Sequence, residues 1–341
     1  MVIKKILYRV SKSIREIYYS YYPDQDFLAL SENRMVWGLR IESCNICNAN
    51  CIFCAYQYQR RKKRIMSETI YNKIINDYNS MGGGDLGLVP IAGDPLIDPS
   101  ILRRIHYARQ LPNIKTISII TNCINLHNVG INELLTSGLN SISVSTSGFD
   151  LEFHEKIYRS NKAELAKRNL IDLLIINREL GNPCEIKIGL RTCQTFKEVM
   201  SNKEFREIVI LSNEVDINYY FDDWAGAIKS FDLLKGMKLR PFSLLILRRK
   251  APCWMLYGGL AILSDGTVAM CGCQELEGDS DLVLGNIMDS SLVDLYKSEQ
   301  ANMIRKNWLN GIRIPDICRN CRNYNPYTFG MLKETRIKAN L

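Results

Sequence analysis

Short apolar runs alternate with longer stretches of helical periodicity across the middle of the chain, from about residue 35 to residue 225. Because parallel strands are joined by helical crossovers, this alternation predicts an α/β domain on a parallel sheet, either open or curved into a partial barrel. In both arrangements, ligand-binding groups lie at the carboxyl ends of the strands. The strands are predicted at residues 35–41, 86–91, 116–120, 141–145, 185–190 and 215–220, and the helices at 67–80, 99–110, 130–137, 163–180 and 197–211.

Outside the domain at 35–225, the pattern changes. Residues 1–34 combine basic and aromatic side chains in the pattern of an amphipathic helix, which we expect to pack on the main domain or, alternatively, to dock a carrier, a partner or a membrane face. Residues 226–249 are interpreted as a linker. Residues 250–330 are rich in cysteine, glycine and turn signals, which predicts a second, smaller domain, and a basic tail follows at 331–341.

Composition narrows the class of protein. A chain of 341 residues that is 46% hydrophobic can bury one large core and a small second one. No apolar run is long enough to span a membrane and no secretory signal is seen, so the sequence predicts a cytoplasmic protein. The net charge of +8 is spread along the chain, apart from basic runs at 60–64 and 248–250 that are typical of solvated surfaces. We therefore expect neither nucleic acid nor membrane as a partner.

Twelve cysteines need an explanation, because disulfides are not expected in a reducing compartment and a chain of this length does not require them. Cys47, Cys51 and Cys54 follow the first strand in a Cys-x3-Cys-x2-Cys pattern. Three thiolates on one loop can hold three irons of a cubane cluster and leave the fourth iron open. The alternative is a zinc site that also uses Cys44, although its two cysteine pairs would be unusually close in sequence.

The pattern Cys-x3-Cys-x-aromatic-Cys, with Phe53 at the aromatic position, resembles the signature of the radical S-adenosylmethionine (radical SAM) superfamily. Residues 92–96 resemble its Gly-Gly-Glu-Pro segment, with Ala92 in place of the first glycine and Asp94 in place of glutamate. Thr121-Asn122 resembles its Thr-Asn-Gly, with Cys123 in place of the glycine. The resemblance implies cofactor-binding roles for Phe53, Gly93, Asp94, Asn122, Ser145 and Arg159.

The resemblance also implies a fold and an activity. The fold is a partial (β/α)6 TIM-like barrel. S-adenosylmethionine would bind the open iron of a [4Fe–4S] cluster, and one electron from a donor such as flavodoxin or ferredoxin would release a 5'-deoxyadenosyl radical. That radical abstracts hydrogen from an unactivated C–H bond, and the protein supplies positioning and exclusion of water.

A second group of cysteines lies near the C-terminus, at Cys253, Cys271, Cys318 and Cys321. Gly266 marks a hairpin turn that would bring the first two together. Four cysteines suit zinc and an iron–sulfur cluster equally well. The spacing, however, resembles that of twitch domains, the short form of the SPASM domain, which implies one fully ligated auxiliary [4Fe–4S] cluster. Cys273 is then a spare cysteine that could substitute for Cys271 or be a simple buried thiol.

Two further residues are candidates for catalysis. Cys193 follows the fifth strand as a candidate hydrogen donor, and Asp223 follows the sixth beside Asp222 as a candidate base. A buried apolar thiol and an acidic turn are the respective alternatives. The single auxiliary cluster resembles that of alcohol-oxidising twitch enzymes, which implies, as the leading prediction, oxidation of a carbon bearing oxygen or nitrogen on a sugar, aminocyclitol or similar small polar metabolite. The alternatives are modification of a peptide substrate and a non-catalytic iron–sulfur or zinc protein.

Overall fold

The computed structural model describes residues 36, 38–241, 252–319 and 321–324. The predicted N-terminal segment 1–34 and the basic tail 331–341 lie outside the described residues. Six parallel strands follow one another in sheet order, which confirms the predicted α/β fold with a mostly parallel sheet. The strands are β1 (Gly38–Ile41), β2 (Gly84–Leu88), β3 (Ile114–Thr121), β4 (Ser141–Thr146), β5 (Glu185–Arg191) and β6 (Glu214–Asn218).

Helices cross over between these strands and bury their apolar faces against the sheet. They include α1 (Glu68–Ser80), α2 (Ile101–Arg109), α3 (Leu126–Val129), α4 (Ile131–Leu135), α5 (Leu151–Tyr158), α6 (Ala163–Glu179), α7 (Phe196–Ser201) and α8 (Lys203–Val209). α1 begins at Ser67, whose hydroxyl accepts a hydrogen bond from the amide of Ile70 at 3.3 Å. The core between the two layers includes Ile74 of α1, Ile117 of β3 and Leu173 of α6, all with less than 1% exposure.

The helix predicted at 197–211 is two short helices. Asn202 ends α7 with an extended backbone, and its side chain accepts the amide N–H of Phe205 at 3.0 Å to begin α8. Asparagine competes well for backbone hydrogen bonds, which explains why the continuous helical period is interrupted there.

The C-terminal region extends the same sheet instead of forming a separate one. After α9 (Met255–Gly258), strand β9 (Gly259–Ile262) pairs in parallel with β1, with Gly259 opposite Gly38. β10 (Thr267–Ala269) and β11 (Val283–Asn286) add two antiparallel strands. Three helices complete the region, α10 (Leu292–Lys297), α11 (Glu299–Leu309) and α12 (Asp316–Arg319).

The turn between β9 and β10 contains Gly266, as the sequence predicts. Its φ is +90°, and a Cβ there would lie 2.9 Å from the side-chain oxygen of Asn286 and 3.0 Å from Ile287. A glycine is therefore required on two grounds, the backbone conformation and the close approach. The turn sets the register of the hairpin that leads to Cys271.

Residues 226–241, the described part of the predicted linker, are packed. Ile228, Leu233 and Met237 lie in one apolar cluster with Ile52 and Phe221. Two short strands, β7 (Tyr220–Phe221) and β8 (Lys238–Leu239), pair beside this cluster. Among the described residues, no helix has the length and apolar character needed to cross a membrane.

Candidate active site

The loop after β1 carries the first three candidate cysteines and is held by hydrogen bonds within itself. The amide of Cys54 donates to the carbonyl of Cys51 at 3.1 Å, and the Cys54 sulfur accepts from the amide of Tyr56 at 3.4 Å. The amide of Cys47 donates to the Tyr56 hydroxyl at 3.0 Å. The loop therefore curls around the Tyr56 side chain and brings both of its ends together.

Burial raises the pKa of all three thiols, and repulsion by neighbouring sulfurs adds to the shift at Cys47 and Cys51. Burial, followed by the charge of Asp94, raises the pKa of Cys47 to about 12. The pKa of Cys51 is also raised, first by burial and then by the neighbouring Cys54 and Cys47. The sulfurs are thus near enough to repel one another as thiolates, and a cationic iron centre would relieve that repulsion. This donor set fits an iron–sulfur cluster.

Gly93 and Asp94 hold the end of β2 against this loop. A Cβ at Gly93 would lie 2.9 Å from the carbonyl oxygen of Cys44, so only glycine allows the approach. The Asp94 amide donates to the carbonyl of Ile46 at 2.9 Å, and the Asp94 carbonyl accepts from the Cys44 thiol at 3.1 Å. Cys44 is accordingly a buried hydrogen-bonded thiol at the back of the loop.

The Asp94 carboxylate connects the ends of β2 and β3. It accepts from the amide of Asn122 at 2.8 Å, the hydroxyl of Thr121 at 2.9 Å and the amide of Leu96 at 3.0 Å. Burial raises its pKa, and these hydrogen bonds oppose the shift. With both oxygens engaged, Asp94 positions the backbone around the site.

Asn122 at the end of β3 reaches the cysteine loop. Its side-chain amide donates to Asn48 at 2.8 Å and approaches the Cys47 sulfur at 3.8 Å. The next residue, Cys123, has a φ of +64°, which glycine adopts more readily. Cys123 thus takes the backbone conformation that favours glycine, the residue the radical SAM pattern has at this position.

The remaining sequence candidates for the cofactor surround the same loop. Phe53 stacks on Phe221 with ring centroids 5.3 Å apart and contacts the edge of Tyr158. The Ser145 hydroxyl lies 3.0 Å from the Tyr158 hydroxyl. Arg159 donates to the side-chain oxygen of Gln57 at 2.7 Å, three residues after Cys54.

The second group of cysteines surrounds a cavity in the C-terminal region. Cys271, Cys318 and Cys321 are buried, and Cys253 is partly exposed. Apolar side chains including Leu256 complete the wall. The cavity is lined by five cysteines, which are Cys253, Cys271, Cys273, Cys318 and Cys321. Within the described part of the chain, no three His, Cys, Asp or Glu side chains are grouped to ligate a single metal ion.

Cys273 connects this cavity to the first strand. Its amide donates to the Cys271 sulfur at 3.3 Å, and its own sulfur lies 3.9 Å from the Arg40 guanidinium of β1. A hydrogen bond between the two thiol side chains lowers the pKa of Cys273 most, and Arg40 lowers it further against the effect of burial. The same pairing raises the pKa of Cys271.

One short loop contacts both cysteine groups. Trp224 donates its indole N–H to the carbonyl of Phe53 at 3.2 Å. Asp222 accepts from the side-chain amide of Gln274 at 2.5 Å, and Asp223 forms an ion pair with Arg322 at 2.7 Å. The loop at 222–224 therefore lies between the two candidate sites and is bonded to each.

Sequence reasoning missed the partners of this loop. Gln274 directly follows Cys273 in the sequence, and Arg322 directly follows Cys321. That adjacency to cysteines is the one signal that could have identified them. The second oxygen of Asp223 is buried and has no hydrogen-bond partner among the described residues. Cys193 packs in the same apolar cluster as Cys47, Phe53 and Trp224.

The basic run at 60–64 is not wholly a solvated surface. Arg61 forms a two-pronged ion pair with the buried Glu42, with distances of 2.7 and 2.8 Å, and also donates to the carbonyl of Leu276 at 2.7 Å. Glu42 in turn accepts from the amide of Ser264 at 3.1 Å. These bonds fasten the cysteine loop to the C-terminal region.

Two family models match this chain. Residues 41–181 match the radical SAM superfamily, and residues 253–322 match SPASM, an iron–sulfur cluster-binding domain. A GTP 3',8-cyclase of Chlorobaculum tepidum is 26% identical over 188 residues, which cover 55% of this chain and 53% of that protein. A probable GTP 3',8-cyclase of Methanococcus aeolicus is 29% identical over 141 residues, 40% of this chain and 46% of that one. The chain thus spans about half the length of these curated relatives.

Solved structures share the fold at low sequence identity. SuiB of Streptococcus suis bound to its precursor peptide SuiA gives a TM-score of 0.62 at 14% identity, over 88% of this chain and 75% of that one. BtrN in complex with AdoMet and 2-DOIA gives a TM-score of 0.54 at 14% identity, over 85% of this chain and 94% of that one. anSMEcpe with bound AdoMet and the Cp18Cys peptide gives a TM-score of 0.53 at 13% identity, over 90% of this chain and 100% of that one.

Proposed function

Since the chain belongs to the radical SAM superfamily and carries a C-terminal SPASM-type domain, we propose that it oxidises a small polar metabolite. The oxidised carbon bears oxygen or nitrogen, as in a sugar or an aminocyclitol. The two domains imply S-adenosylmethionine and a [4Fe–4S] cluster in each, which confirms the cofactors predicted from the sequence.

The residues present suit those groups. Cys47, Cys51 and Cys54 would hold the first cluster, and four of the five cysteines around the second cavity would hold the other. When bound, these groups supply a 5'-deoxyadenosyl radical that takes one hydrogen atom from the substrate carbon, and an acceptor for the one electron that remains. The residual proton leaves the substrate oxygen or nitrogen and needs a base.

The observation that carries the proposal is the position of the loop at 222–224. Trp224 is bonded to the carbonyl that precedes Cys54, and Asp222 and Asp223 are bonded to residues that follow Cys273 and Cys321. A substrate between the two clusters would therefore meet carboxylates on one wall. We propose that Asp223 is the base that accepts this proton, since one of its oxygens has no hydrogen-bond partner among the described residues.

Replacement of an auxiliary ligand tests the proposal. Anaerobically reconstituted protein should convert S-adenosylmethionine to 5'-deoxyadenosine with dithionite, and a panel of sugars and aminocyclitols should give a product two hydrogens lighter. Cys271→Ala should retain the first reaction and lose the second. If the variant still forms the oxidised product, the auxiliary cluster is not the electron acceptor. A wild-type protein that makes no 5'-deoxyadenosine would instead support the non-catalytic alternative.

A second candidate function is modification of a peptide, and one feature of the sheet favours it. β6 lies at the sheet edge and pairs only with β5 among the described strands. Tyr219 and Tyr220 follow it with 37% and 48% of their surfaces exposed. Extended peptides bind such edges by adding a strand, and aromatic side chains add contact area. The substrate panel should therefore include peptides, together with GTP, which the names of the two curated relatives contain.

A further inference from the structure

The auxiliary cavity has one cysteine more than a closed [4Fe–4S] cluster needs. Five cysteines line it, whereas four thiolates complete such a cluster. Cys271 and Cys273 are separated by a single residue, so the question is which of them is the extra one. The contacts of Cys273 answer it.

We propose that Cys273 is a positioning residue that does not ligate the auxiliary cluster. Anchored by Arg40, it holds an N–H···S hydrogen bond on Cys271 and so tunes the cluster's reduction potential. The inference rests on the auxiliary cluster of the proposed function, but not on the identity of the substrate. It assigns ligation to Cys253, Cys271, Cys318 and Cys321.

The first argument is the set of bonds that Cys273 makes. Its sulfur accepts from the Arg40 guanidinium of β1 at 3.9 Å. Its amide donates to the Cys271 sulfur at 3.3 Å, and the two thiol side chains are also hydrogen-bonded to each other. Cys273 therefore connects the Arg40 cation to the sulfur assigned as the ligand.

The second argument is the packing of the residue between the two cysteines. A Cβ at Gly272 would lie 3.1 Å from the Arg40 side chain and 3.2 Å from Ala261 of β9. The Cys271–Cys273 turn is therefore pressed onto the joint between β1 and β9. The Arg40 side chain lies against this turn, so its charge would lie near a cluster held by Cys271.

Electrostatics gives the direction in which the reduction potential of the auxiliary cluster should change. Hydrogen bonds and positive charge near cluster sulfurs favour the reduced, more negative state, so they raise the reduction potential. Removing the Arg40 charge or the Cys273 anchor should lower the potential of the auxiliary cluster. The radical SAM cluster should be unaffected, because the hydrogen bonds found for Arg40 and Cys273 join them to each other and to Cys271.

The test is a redox titration of the reconstituted protein, followed by electron paramagnetic resonance, with no substrate present. Cys273→Ala and Arg40→Gln should keep about eight irons per chain and shift the auxiliary midpoint to a more negative potential. Cys273→Ser can still accept from Arg40 and should restore most of the midpoint. Cys184→Ala serves as the matched control, since Cys184 is a buried thiol that contacts neither site.

Three results would overturn the inference. Loss of about four irons in Cys273→Ala would make Cys273 a ligand. An unchanged auxiliary midpoint in both Cys273→Ala and Arg40→Gln would remove the tuning role. An equal shift in the midpoint potentials of both clusters would indicate a general structural effect of the substitution. None of these measurements depends on turnover, so failure of the proposed oxidation is recognised separately, by the products of the Cys271→Ala variant.

Discussion

The indole nitrogen of Trp224 lies 3.2 Å from the carbonyl oxygen of Phe53, the residue that directly precedes Cys54. The same ring packs against Ala261 and Leu263 of the C-terminal region. The backbone of Trp224 has a φ of +50° and that of Ala225 a φ of +54°. Two residues other than glycine therefore take the left-handed conformation. Such strain persists where the surrounding structure enforces it, and it often accompanies functional sites.

We predict that Trp224 couples the two sites. Trp224→Phe keeps most of the ring packing and loses one hydrogen bond, so unfolding free energy should fall by about 1 kcal/mol. Trp224→Ala should cost more and should lower the amount of oxidised product per 5'-deoxyadenosine formed, because the loop at 222–224 loses its anchor. Denaturant unfolding and product ratios measure both effects. Equal behaviour of the two variants would contradict the prediction.

Asp223→Asn tests the assigned base. The amide cannot accept the proton, so product formation should fall by roughly 100-fold or more, while cleavage of S-adenosylmethionine without substrate should remain near the wild-type rate. Asp216→Asn is the control, because Asp216 is an exposed carboxylate on β6. Product formation that survives in Asp223→Asn would assign the proton to another group.

Cys47→Ala and Cys44→Ala separate ligation from packing. Cys47→Ala should reduce iron from about eight to about four per chain and abolish 5'-deoxyadenosine formation. Cys44→Ala removes one thiol hydrogen bond to the Asp94 carbonyl, so it should cost about 1 kcal/mol of stability and keep the iron. Iron analysis and chromatography of the nucleoside measure the difference. If Cys44→Ala lost the cluster and Cys47→Ala kept it, Cys44 would be the ligand and Cys47 the packed thiol.

His154 should make stability depend on pH. It is buried beside Tyr158 with ring centroids 4.2 Å apart, and burial lowers its pKa from 6.5 to about 4. Between these values the unfolded chain binds a proton that the folded chain does not, so stability falls as pH decreases from about 6.5 towards 4. The slope for one proton is at most about 1.4 kcal/mol per pH unit.

Denaturant unfolding at pH 7.5 and 5.5 measures this slope. His154→Gln removes the titrating group and should give a flatter dependence over that interval, although its stability at pH 7.5 should also be lower because the ring contact is lost. An identical pH dependence in the variant would show that other groups titrate there.

The strand positions could be predicted because burial imposes a simple pattern on them. All six predicted strands of the parallel sheet occur within a few residues of their expected bounds, since each is a short apolar run followed by a turn. The helix break at Asn202 falls where the apolar spacing lengthens from three or four residues to five, between Met200 and Phe205, and the prediction of one continuous helix overlooked it. It depends on a side chain that caps one helix while ending another.

Contacts between distant parts of the chain could not be predicted from the sequence. Arg61 reads as part of a charged run, and only the fold places it against Glu42 and the carbonyl of Leu276. The bonds of Asp222 to Gln274 and of Asp223 to Arg322 join residues about 50 and 99 positions apart. The spacing of cysteines along the sequence identifies which of them group together. The partners of Arg61, Asp222 and Asp223, by contrast, depend on how β9 packs against β1.

The parallel pairing of β9 with β1 has a consequence for any attempt to divide this protein. A fragment that stops before residue 250 would leave the backbone amides and carbonyls of β1 without their neighbour and would uncover Leu39 and Ile41, which are buried in the whole chain. An open, apolar strand edge invites self-association. We expect such a fragment to aggregate, whereas the intact chain stays dispersed under the same conditions, and light scattering would distinguish the two.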